Sequence, residues 1–380
     1  MNICYISNSH IPSRTANSIH VMKMCQAYGN LGHEVTLVVP EWRDGTEPGI
    51  QDVHAFYGVR PNFEIRKVFL PPWHTLDFFH RAVLMPILAF SHRPSLVHSR
   101  SLTAAWGMTK LLGMPTVLES HQPPSTNSNV KKIFQQTIRS GYLRALAVIT
   151  NALADRIRPL IPENIRLLVA PDGVDSTWLR NKLSIEEARA EIGLGSEKRR
   201  LAVYAGHLYT GRGIGLLIDL ARKVKDHYFL IVGGSESDIA RFRNLTEGLE
   251  NLEFVGFKPP ARMFTYLRAS DVLLMPYRET IHVDGGGDTA AFASPMKMFE
   301  YMAVGRPILA STLPVLKEVL KDGVNAMLLP CDQLESWADA LRRLAEQSDF
   351  AKALAQQARL DVEQYTWENR AQRFLEGCAT

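Results

Sequence analysis

The chain has 380 residues, which is too long for one ordinary hydrophobic core and about right for two α/β domains. Hydrophobic residues make up 46% of it and charged residues 22%, so we expect a globular protein and exclude a disordered one. The formal net charge of +4 is mild: it fits an anionic substrate or an anionic membrane surface, and it gives no reason to expect a nucleic-acid partner.

The cysteines and the apolar runs indicate the compartment. The four cysteines have neither C-x-x-C spacing nor histidine neighbours, so we expect free thiols in a reducing cytoplasm and no zinc site. They are Cys4, Cys25, Cys331 and Cys378. No signal peptide is expected, because Met1 leads directly into an apolar strand. The longest apolar run, residues 82–90, contains Pro86 and is too short to cross a bilayer. We therefore expect a cytoplasmic protein, either soluble or peripheral on the inner face of the plasma membrane.

The first elements predicted along the chain are a strand over residues 2–6, a polar loop over 7–17 and a helix over about 18–31. Gly32 ends the helix, and a second strand is predicted over residues 33–39. This order is typical of the start of a parallel, doubly wound sheet. No G-x-G-x-x-G follows the first strand, so an enzyme with the dinucleotide-binding fingerprint is disfavoured.

Residues 71–90, which follow a strand predicted over 63–70, are rich in aromatic side chains. They include Trp73, Phe78 and Phe79, close to His80 and Arg81. This segment has two interpretations: a partly exposed amphipathic helix that touches lipid headgroups, or an aromatic stripe that packs on the sheet.

Polar side chains stand at the ends of two short strands predicted over residues 96–98 and 116–119. They are His98 and Arg100 on the first strand and His121 after the second. Because the carboxyl ends of parallel strands line the ligand crevice of an open sheet, we expect these groups to converge near one substrate. The alternative is that each histidine is a hydrogen-bonded structural group.

Strands predicted over residues 145–150 and 167–169 complete the first half of the chain. The polar run at residues 181–200 is interpreted as the approach to a second domain.

The second domain begins with a strand predicted over residues 201–206 and a glycine-rich loop that leads into an amphipathic helix. Its glycines would allow close approach of a phosphate group. The guanidinium group of Arg212 in the loop offers several N–H donors that can bind that phosphate. Three more strands are predicted over 228–232, 252–255 and 271–275. The residues at their ends, expected at the same sheet edge, are Gly233, Gly234, Gly256, Phe257 and Tyr277.

Residues 294–307 predict a helix, which is followed by a strand and by further helices over about 333–363. Ser294 is expected as the N-cap of the first helix, Pro295 as its first residue and Gly305 as its end.

The polar face of this helix carries Lys297 and Glu300. A glycine-rich run at residues 285–288 precedes the helix, and a helix start behind such a loop is a ready anion site. The alternative is a solvent-exposed Lys–Glu pair that stabilises an ordinary surface helix.

The run SPMKMFEYMAVGRPILAS at residues 294–311 resembles the donor-site signature of glycosyltransferase family 4, whose members are retaining enzymes with the GT-B fold. Residues 11–35, VGF at 255–257 and ASDVLLMPY at 269–277 are similar to the same family. The resemblance implies the α/β GT-B class, with two Rossmann-like, doubly wound domains that face a central cleft.

The resemblance also assigns roles to the two domains. Residues 1–172 would form the acceptor-side domain and residues 173–366 the domain that binds the sugar nucleotide. The last helix, about 367–380, would cross back onto the first domain.

The activity that the resemblance implies is transfer of a hexose from a nucleoside-diphosphate sugar to a saccharide or lipid-linked acceptor, in polysaccharide or glycolipid biosynthesis. UDP-glucose is the first expectation for the donor and GDP-mannose the second. No cofactor is expected, since the sugar nucleotide is a substrate, and no paired acidic motif suggests a metal. Two alternatives stay open: a catalytically silent sugar-nucleotide-binding or scaffold protein, and another enzyme of this fold, such as a phosphorylase or a sugar-nucleotide epimerase.

The site residues expected follow from the resemblance together with the strand-end positions described above. Those expected in catalysis are Arg212, His121 and Lys297. Those expected to bind the donor are Gly206, His207, Gly211, Arg212, Gly213, Gly233, Gly234, Gly256, Phe257, Tyr277, Asp288, Ala293, Ser294, Pro295, Lys297 and Glu300. Those expected to bind the acceptor are Arg14, Asn17, Ser18, His98, Arg100 and His121.

The sequence departs from the family pattern at two places. Glu300 matches the second glutamate of the family's E-x7-E motif, which holds the donor ribose, but Phe292 stands where the first glutamate is expected. Asp288, or backbone amides near Ala293, is predicted to replace that carboxylate. In the loop after the first strand of the second domain, His207 replaces an arginine and Arg212 a lysine, which keeps a charge but alters its geometry.

Overall fold

The structure is a computed structural model that describes residues 1–42, 44–69, 76–280 and 290–378. The chain divides into two compact units. Unit 1 comprises Met1–Asp172 together with Trp367–Thr380, and unit 2 comprises Gly173–Thr366.

Each unit is built on one sheet whose strands all run parallel. In unit 1 the strand order is β3-β2-β1-β4-β5-β6-β7, and in unit 2 it is β10-β9-β8-β11-β12-β13. The strands are β1 (Asn2–Ile6), β2 (Glu34–Glu41), β3 (Glu64–Phe69), β4 (Leu96–Ser99), β5 (Thr116–Ser120), β6 (Leu143–Val148), β7 (Leu167–Val169), β8 (Arg200–Ala205), β9 (His227–Val232), β10 (Leu252–Gly256), β11 (Val272–Met275), β12 (Ile308–Ser311) and β13 (Met327–Leu329).

Helices connect these strands in the way that parallel pairing requires. The α-helices are α1 (Ala16–Asn30), α2 (Val53–Tyr57), α3 (Asp77–Phe79), α4 (Met85–Ser91), α5 (Leu102–Trp106), α6 (Ser128–Ile138), α7 (Asn151–Ile157), α8 (Ser176–Arg180), α9 (Ile185–Glu191), α10 (Ile214–Lys223), α11 (Glu236–Ala240), α12 (Met263–Arg268), α13 (Met296–Ala303), α14 (Pro314–Lys317), α15 (Leu334–Glu346), α16 (Ser348–Asp361) and α17 (Trp367–Cys378). Two π-helical stretches, His80–Leu84 and Gly107–Leu111, continue α3 and α5.

The central strands are buried on both faces, which explains why their sequences are continuous apolar runs without alternation. In β1, the residues Ile3 to Ile6 are fully buried, and in β8 five of the six residues are buried. The prediction of a doubly wound α/β architecture is therefore confirmed. Strand β13 was not predicted, although β7, which is equally short, was.

The start of α1 lies earlier in the chain than predicted. Thr15 is its N-cap and accepts a hydrogen bond from the Ser18 N–H, so the helix begins at Ala16 and not at Ser18. Ser18 is fully buried, and its hydroxyl donates to Ser13 O and Thr15 O, both at 2.9 Å.

The aromatic segment at residues 71–90 is not one regular helix. Residues 71–75, which include Trp73, lie outside the described residues. The remainder forms α3, a π-helical turn and α4 in succession. Within the described residues, no helix is both long enough and apolar enough to cross a bilayer.

Candidate functional site

The carboxyl edge of the sheet in unit 2 carries the glycine-rich loops. Backbone bonds tie these loops together: Gly206 N–H donates to Val232 O at 2.8 Å, and Gly233 N–H donates to Gly256 O at 2.9 Å. The chain order of the strands reverses between β8 and β11, and ligands of open α/β sheets bind at such a point. The parallel pairing confirms that these strand ends share one edge.

Helix α13 starts at this edge, but one residue later than predicted. Pro295 has extended backbone, with ψ 118°, so it is the N-cap and not the first helical residue, and its side chain makes no capping hydrogen bond. Ser294, which the sequence suggested as the N-cap, is buried one residue before that position. Gly305 follows the end of the helix with φ +64°, as predicted, and its N–H donates to Met302 O at 3.2 Å.

Lys297, in the first turn of α13, reaches the backbone of the loop after β8. A Cβ atom at position 206 would lie 2.2 Å from Lys297 Nζ, so the glycine there, at φ +139°, is what allows the ammonium group to approach. The ammonium lies 4.2 Å from the ring centre of Tyr204 and 5.2 Å from that of Tyr277. Both tyrosine rings are buried and stabilise the cation through their faces.

Arg212 lies against the other side of the same cluster, with its guanidinium carbon 4.4 Å from the ring centre of Tyr277. The loop that carries it packs directly on the chain after β11. A Cβ atom at Gly213 would lie 1.8 Å from Pro276 O, and the φ of Gly213 is +76°. Any residue with a Cβ atom would clash with Pro276 O at this position. The close packing that glycine allows therefore sets where the loop places Arg212 in the cluster.

The charges of this cluster are not balanced within it. Burial, and then the charge of Arg212, hold the pKa of Lys297 well below its usual value, although Glu300 favours the charged form. In the described part of the chain, Lys297 Nζ and Arg212 Nε are buried without a hydrogen-bond partner. Buried donors without acceptors are costly, so this arrangement is suited to an anion that would accept from them.

The Lys297–Glu300 surface pair, the alternative left open by the sequence, does not account for this geometry, since Lys297 Nζ is buried and unbonded among the described residues. Phe292 is buried at the position of the expected first glutamate. Ala293 is half-buried just before α13. Asp288 lies outside the described residues, so its predicted role stays a prediction.

The remaining residues expected to bind the donor line the same edge. His207 stacks on Tyr209 with ring centres 4.7 Å apart, and its carbonyl accepts from Tyr204 OH at 2.7 Å. Gly211 O accepts from the N–H of Arg278 at 2.8 Å. Gly234 and Phe257 follow β9 and β10 and are half-buried.

Three of the residues predicted to bind the acceptor, His98, Arg100 and His121, converge in unit 1 on one carboxylate, Glu119 at the end of β5. Glu119 Oε2 is 2.7 Å from His98 Nε2, and Oε1 accepts a hydrogen bond from Arg370 Nη2 at 2.9 Å. His121 Nε2 also bonds Oε1, and Arg100 Nε lies 4.0 Å from it. The predicted convergence of His98, Arg100 and His121 is thus present, but its centre is a fully buried carboxylate.

Two further contacts extend this network. His20 Nε2 lies 3.1 Å from Glu119 Oε1, and its Nδ1 is 2.9 Å from Asp172 Oδ1. Tyr28 OH is 2.9 Å from His98 Nδ1. We call Glu119, His20, His98, His121, Asp172 and Arg370 the Glu119 network.

The other acceptor-side candidates are on the loop before α1. Arg14 pairs with Glu47 at 2.7 Å, and Asn17 is exposed, with its carbonyl 3.4 Å from Arg100 Nη1. Ser18 is enclosed by the loop, so its side chain is not exposed to a ligand.

In the Glu119 network, the carboxylates of Glu119 and Asp172 lie beside arginine and histidine side chains, so negative charge is matched by positive or hydrogen-bonding partners. Burial alone would raise the pKa of Glu119, but Arg370 and then His20 lower it well below its usual value. Burial would likewise raise the pKa of Asp172, and the neighbouring His20 lowers it. Burial, with Arg100 nearby, lowers the pKa of His121 to about 4. At neutral pH the carboxylates are charged and His121 is neutral.

One group of side chains could hold a metal ion: His20, His121 and Asp172 place potential ligand atoms within 4.8 Å of one another. His20 Nδ1 already contacts Asp172, and His121 Nε2 bonds Glu119. These contacts account for the cluster as part of the ion-pair network, and the expectation of no metal stays a prediction.

The sequence patterns did not single out His20, Glu119, Asp172 or Arg370. A carboxylate inside an otherwise apolar strand was the available signal for Glu119, because glutamate is rarely buried without a partner. Arg370 gave no signal, since it is 251 residues from Glu119 in the chain.

Comparisons with known proteins agree with this geometry. The family model described as Glycosyltransferase Family 4 matches residues 18–178, and the model described as Glycosyl transferases group 1 matches residues 199–347. A D-inositol 3-phosphate glycosyltransferase of Corynebacterium urealyticum is 26% identical over 204 residues, which are 50% of this chain and 45% of that protein. The same enzyme of Rhodococcus opacus is 25% identical over 316 residues, 75% of this chain and 68% of that protein. The chain thus matches about half the length of the first of these relatives.

Among solved structures, HepE of Anabaena in complex with UDP superposes with a TM-score of 0.74 at 15% identity, over 99% of both chains. At this identity the likeness concerns the fold, which is GT-B. The two family models match consecutive parts of the chain. Each matched part covers most or all of one of the two sheets described above. The chain therefore belongs to glycosyltransferase family 4.

Proposed function

We propose that this protein is a retaining glycosyltransferase that transfers a hexose from a nucleoside-diphosphate sugar to a saccharide or lipid-linked acceptor. The observation that carries the proposal is the pair Arg212 and Lys297, whose buried donors lack partners among the described residues. A diphosphate supplies the missing acceptors and the missing negative charge. UDP-glucose is the first donor to test, because HepE was solved with UDP and with UDP-glucose.

In the proposed reaction, the bond between the anomeric carbon and the diphosphate oxygen breaks, and the acceptor hydroxyl oxygen bonds to that carbon from the same face. The hydroxyl proton passes to an oxygen of the departing diphosphate. Arg212 and Lys297 stabilise the negative charge that develops on this group, and fixed donors of this kind contribute about 3–4 kcal/mol each. Glu300 would hold the donor ribose.

The test is a donor screen by thermal unfolding, followed by an assay of donor hydrolysis without acceptor. A ligand at about 100 times its dissociation constant adds about 2.7 kcal/mol of stability, which a shift in unfolding temperature reports. Slow hydrolysis by the wild type that is lost in Arg212→Ala supports a transferase. Binding with no hydrolysis, and no transfer to any saccharide, would support a silent sugar-nucleotide-binding protein instead, and formation of an epimer would support an epimerase.

The buried Phe292 favours an unusual contact to the donor sugar, and we propose that Asp288 supplies it. Asp288→Asn should weaken binding of UDP-glucose and leave binding of UDP unchanged, because only the former carries the sugar. Equal losses for both ligands, or none for either, would remove Asp288 from the site.

We also propose that unit 1 contacts a membrane surface through the segment around α3 and α4. Exposed apolar side chains cluster there: Phe69, Phe78, Phe79, Ile87 and Phe90. Phe78→Ser with Phe79→Ser should reduce co-sedimentation with vesicles of phosphatidylcholine and phosphatidylglycerol. The matched control is Leu160→Ser, an equally exposed apolar residue outside the segment. Equal co-sedimentation of both variants would contradict this contact.

A further inference from the structure

Unit 2 contains a second cationic site, at the edge of its sheet opposite to the donor loops. A cavity of about 540 Å³ lies there, lined by Arg200 and His227, which begin β8 and β9, by Val272, which begins β11, and by Pro307, just before β12. The donor loops follow the carboxyl ends of the same strands. Strands of four to six residues place the two sites roughly 15–20 Å apart.

Positive charge dominates the cavity lining. Five cationic side chains contribute: Arg200, Arg268, Arg306, Lys352 and Arg359. Among the described residues that line it, Asp271 is the acidic one. Its carboxylate oxygen Oδ2 already bonds Arg189 Nη2 at 2.5 Å and accepts the Leu201 N–H at 2.6 Å, so one of the lining cations at most is offset by its charge, which raises the pKa of Arg306.

A structural role explains part of this charge. Arg359 Nη1 donates to Ala303 O at 2.8 Å, and Arg200 Nη2 donates to Ala345 O at 2.9 Å, at the ends of α13 and α15. A helix C-terminus carries about half a negative charge, so two helix ends offset about one of the five cations. Lys352 Nζ lies 3.7 Å from the exposed Asp349 carboxylate, which offsets part of a second cation. A surplus of positive charge remains.

Arg306 shows most clearly that part of the positive charge in the cavity lining is not compensated. Its Nε is buried without a hydrogen-bond partner in the described ranges. Burial, and then the neighbouring Arg268, lower the pKa of Arg306 to about 10, which shows that its surroundings disfavour the charged form. An anion in the cavity would accept a hydrogen bond from Arg306 Nε and would stabilise the charged form of Arg306.

We propose that this cavity binds a phosphate ester with at least two negative charges, at a site separate from that of the sugar-nucleotide donor. Guanidinium forks match the oxygens of a phosphate group in pairs, and the cavity has the volume of a small-molecule site. Leu341, Leu344 and Ala355 form an apolar wall for the remainder of the ligand. The site goes beyond the proposed transfer reaction and does not depend on it.

The experiment counts binding sites for radiolabelled pyrophosphate by equilibrium dialysis of the full chain at constant ionic strength. Wild type should show two sites, and Arg212→Ala should retain the cavity site alone. Adding Arg306→Gln and Lys352→Gln to Arg212→Ala should weaken the remaining site by about tenfold or more, as expected for lost charged hydrogen bonds. If Arg212→Ala binds no pyrophosphate, or if the added substitutions leave its affinity unchanged, the proposal is wrong.

Two variants guard against loss of fold. Lys352 is 77% exposed, so Lys352→Gln by itself tests the cavity without disturbing packing, and it should weaken the cavity site about threefold or more. Arg342→Gln removes an arginine of α15 that does not line the cavity and should change nothing. Failure of the donor proposal is distinguishable, since it would remove the Arg212-dependent site and leave this one.

The phosphate ester could be a free molecule or a lipid headgroup, which share this chemistry. Vesicles of phosphatidylcholine with and without phosphatidic acid separate the two sources. Co-sedimentation that needs phosphatidic acid, falls with Arg306→Gln and Lys352→Gln and is displaced by pyrophosphate indicates a headgroup. Pyrophosphate binding with no such difference in co-sedimentation indicates a free ester. If neither pyrophosphate nor phosphatidic acid depends on these residues, the proposal fails.

Discussion

The Glu119 network in unit 1 and the Arg212–Lys297 pair in unit 2 are both buried groups of charges, but they differ in how the charges are matched. Around Glu119, each carboxylate has a cationic or histidine partner at 3.1 Å or less. Around Lys297, two cations lie together, and their buried donors lack acceptors among the described residues. A buried network with matched charges stabilises the fold of the free protein. An unmatched pair of cations destabilises the free protein, and a bound ligand of opposite charge removes that destabilisation.

The largest effect that tests this comparison is expected from Arg370→Met. Arg370→Met removes the nearest arginine from the buried Glu119, and breaking a buried ion pair costs about 3–5 kcal/mol of the free energy of unfolding. Urea denaturation, followed by hydrogen exchange in peptides of unit 1, measures this loss. Arg373→Met, an exposed arginine of the same helix, is the control and should stay within about 0.5 kcal/mol. A similar small loss for both variants would show that the network is not a stability element.

Acidification should weaken unit 1 through the same network. The pKa of His121 is about 4 in the folded protein against an ordinary 6.5, so between these values the unfolded chain binds more protons and stability falls as the pH falls. The pKa values of Glu119 and Asp172 are also lowered, so their stabilisation is lost below their ordinary values of 4.5 and 3.8. His121 can contribute at most about 3–4 kcal/mol, at about 1.4 kcal/mol per pKa unit.

Urea midpoints measured from pH 7 to pH 4 check this dependence. His121→Gln should flatten the curve between pH 6.5 and 4, and His92→Gln, a histidine outside the network, should leave its slope unchanged. A wild-type midpoint that does not change over this range would contradict the matched-charge description.

For the unmatched pair, Arg212→Ala should lower turnover by about a hundredfold or more, since it removes a donor aimed at the leaving diphosphate. Steady-state transfer assays with the donor found in the screen measure it. Arg222→Ala, an exposed arginine in the last turn of α10, should be close to wild type. Turnover of Arg212→Ala within about threefold of wild type would assign the role to another cation.

Glu300→Gln keeps the size of the side chain but would lose the charge-assisted hydrogen bonds that we propose it makes to the donor ribose. Donor affinity should fall by about 1.5–3 kcal/mol in calorimetric titrations. Because the ribose is common to both ligands, UDP and UDP-glucose should lose the same amount. A loss confined to UDP-glucose would move Glu300 from the ribose to the sugar.

The smallest expected effect on stability is that of Lys297→Met, which should increase the free energy of unfolding, whereas Arg370→Met should decrease it. Lys297→Met replaces a buried cation next to Arg212 with an apolar side chain of similar length, so it should raise the free energy of unfolding of unit 2 by about 1 kcal/mol. The same variant should lose affinity for the donor diphosphate. If Lys297→Met destabilises the free protein as Arg370→Met does, the distinction between matched and unmatched charges fails.

Some of these features were determined by the sequence alone. Parallel strands with short apolar runs, glycines at strand ends and the helix at residues 294–307 are local patterns, because backbone period and turn chemistry act over a few residues. These patterns are sufficient to predict that Gly206, Arg212 and Lys297 share one sheet edge. The details of α13 were less predictable: whether the helix starts at Pro295 or Met296 depends on one ψ angle at Pro295.

Charge matching was decided by the tertiary structure. Glu119 meets Arg370 across 251 residues of chain and His20 meets Asp172 across 152, and no local pattern links such positions. Whether Lys297 is a solvent-exposed partner of Glu300 or a buried cation beside Arg212 likewise depends on how close Gly206 lets it approach. The sequence determines which charges are present, but burial and distance set their pKa values and their partners, and both arise only when remote segments pack together.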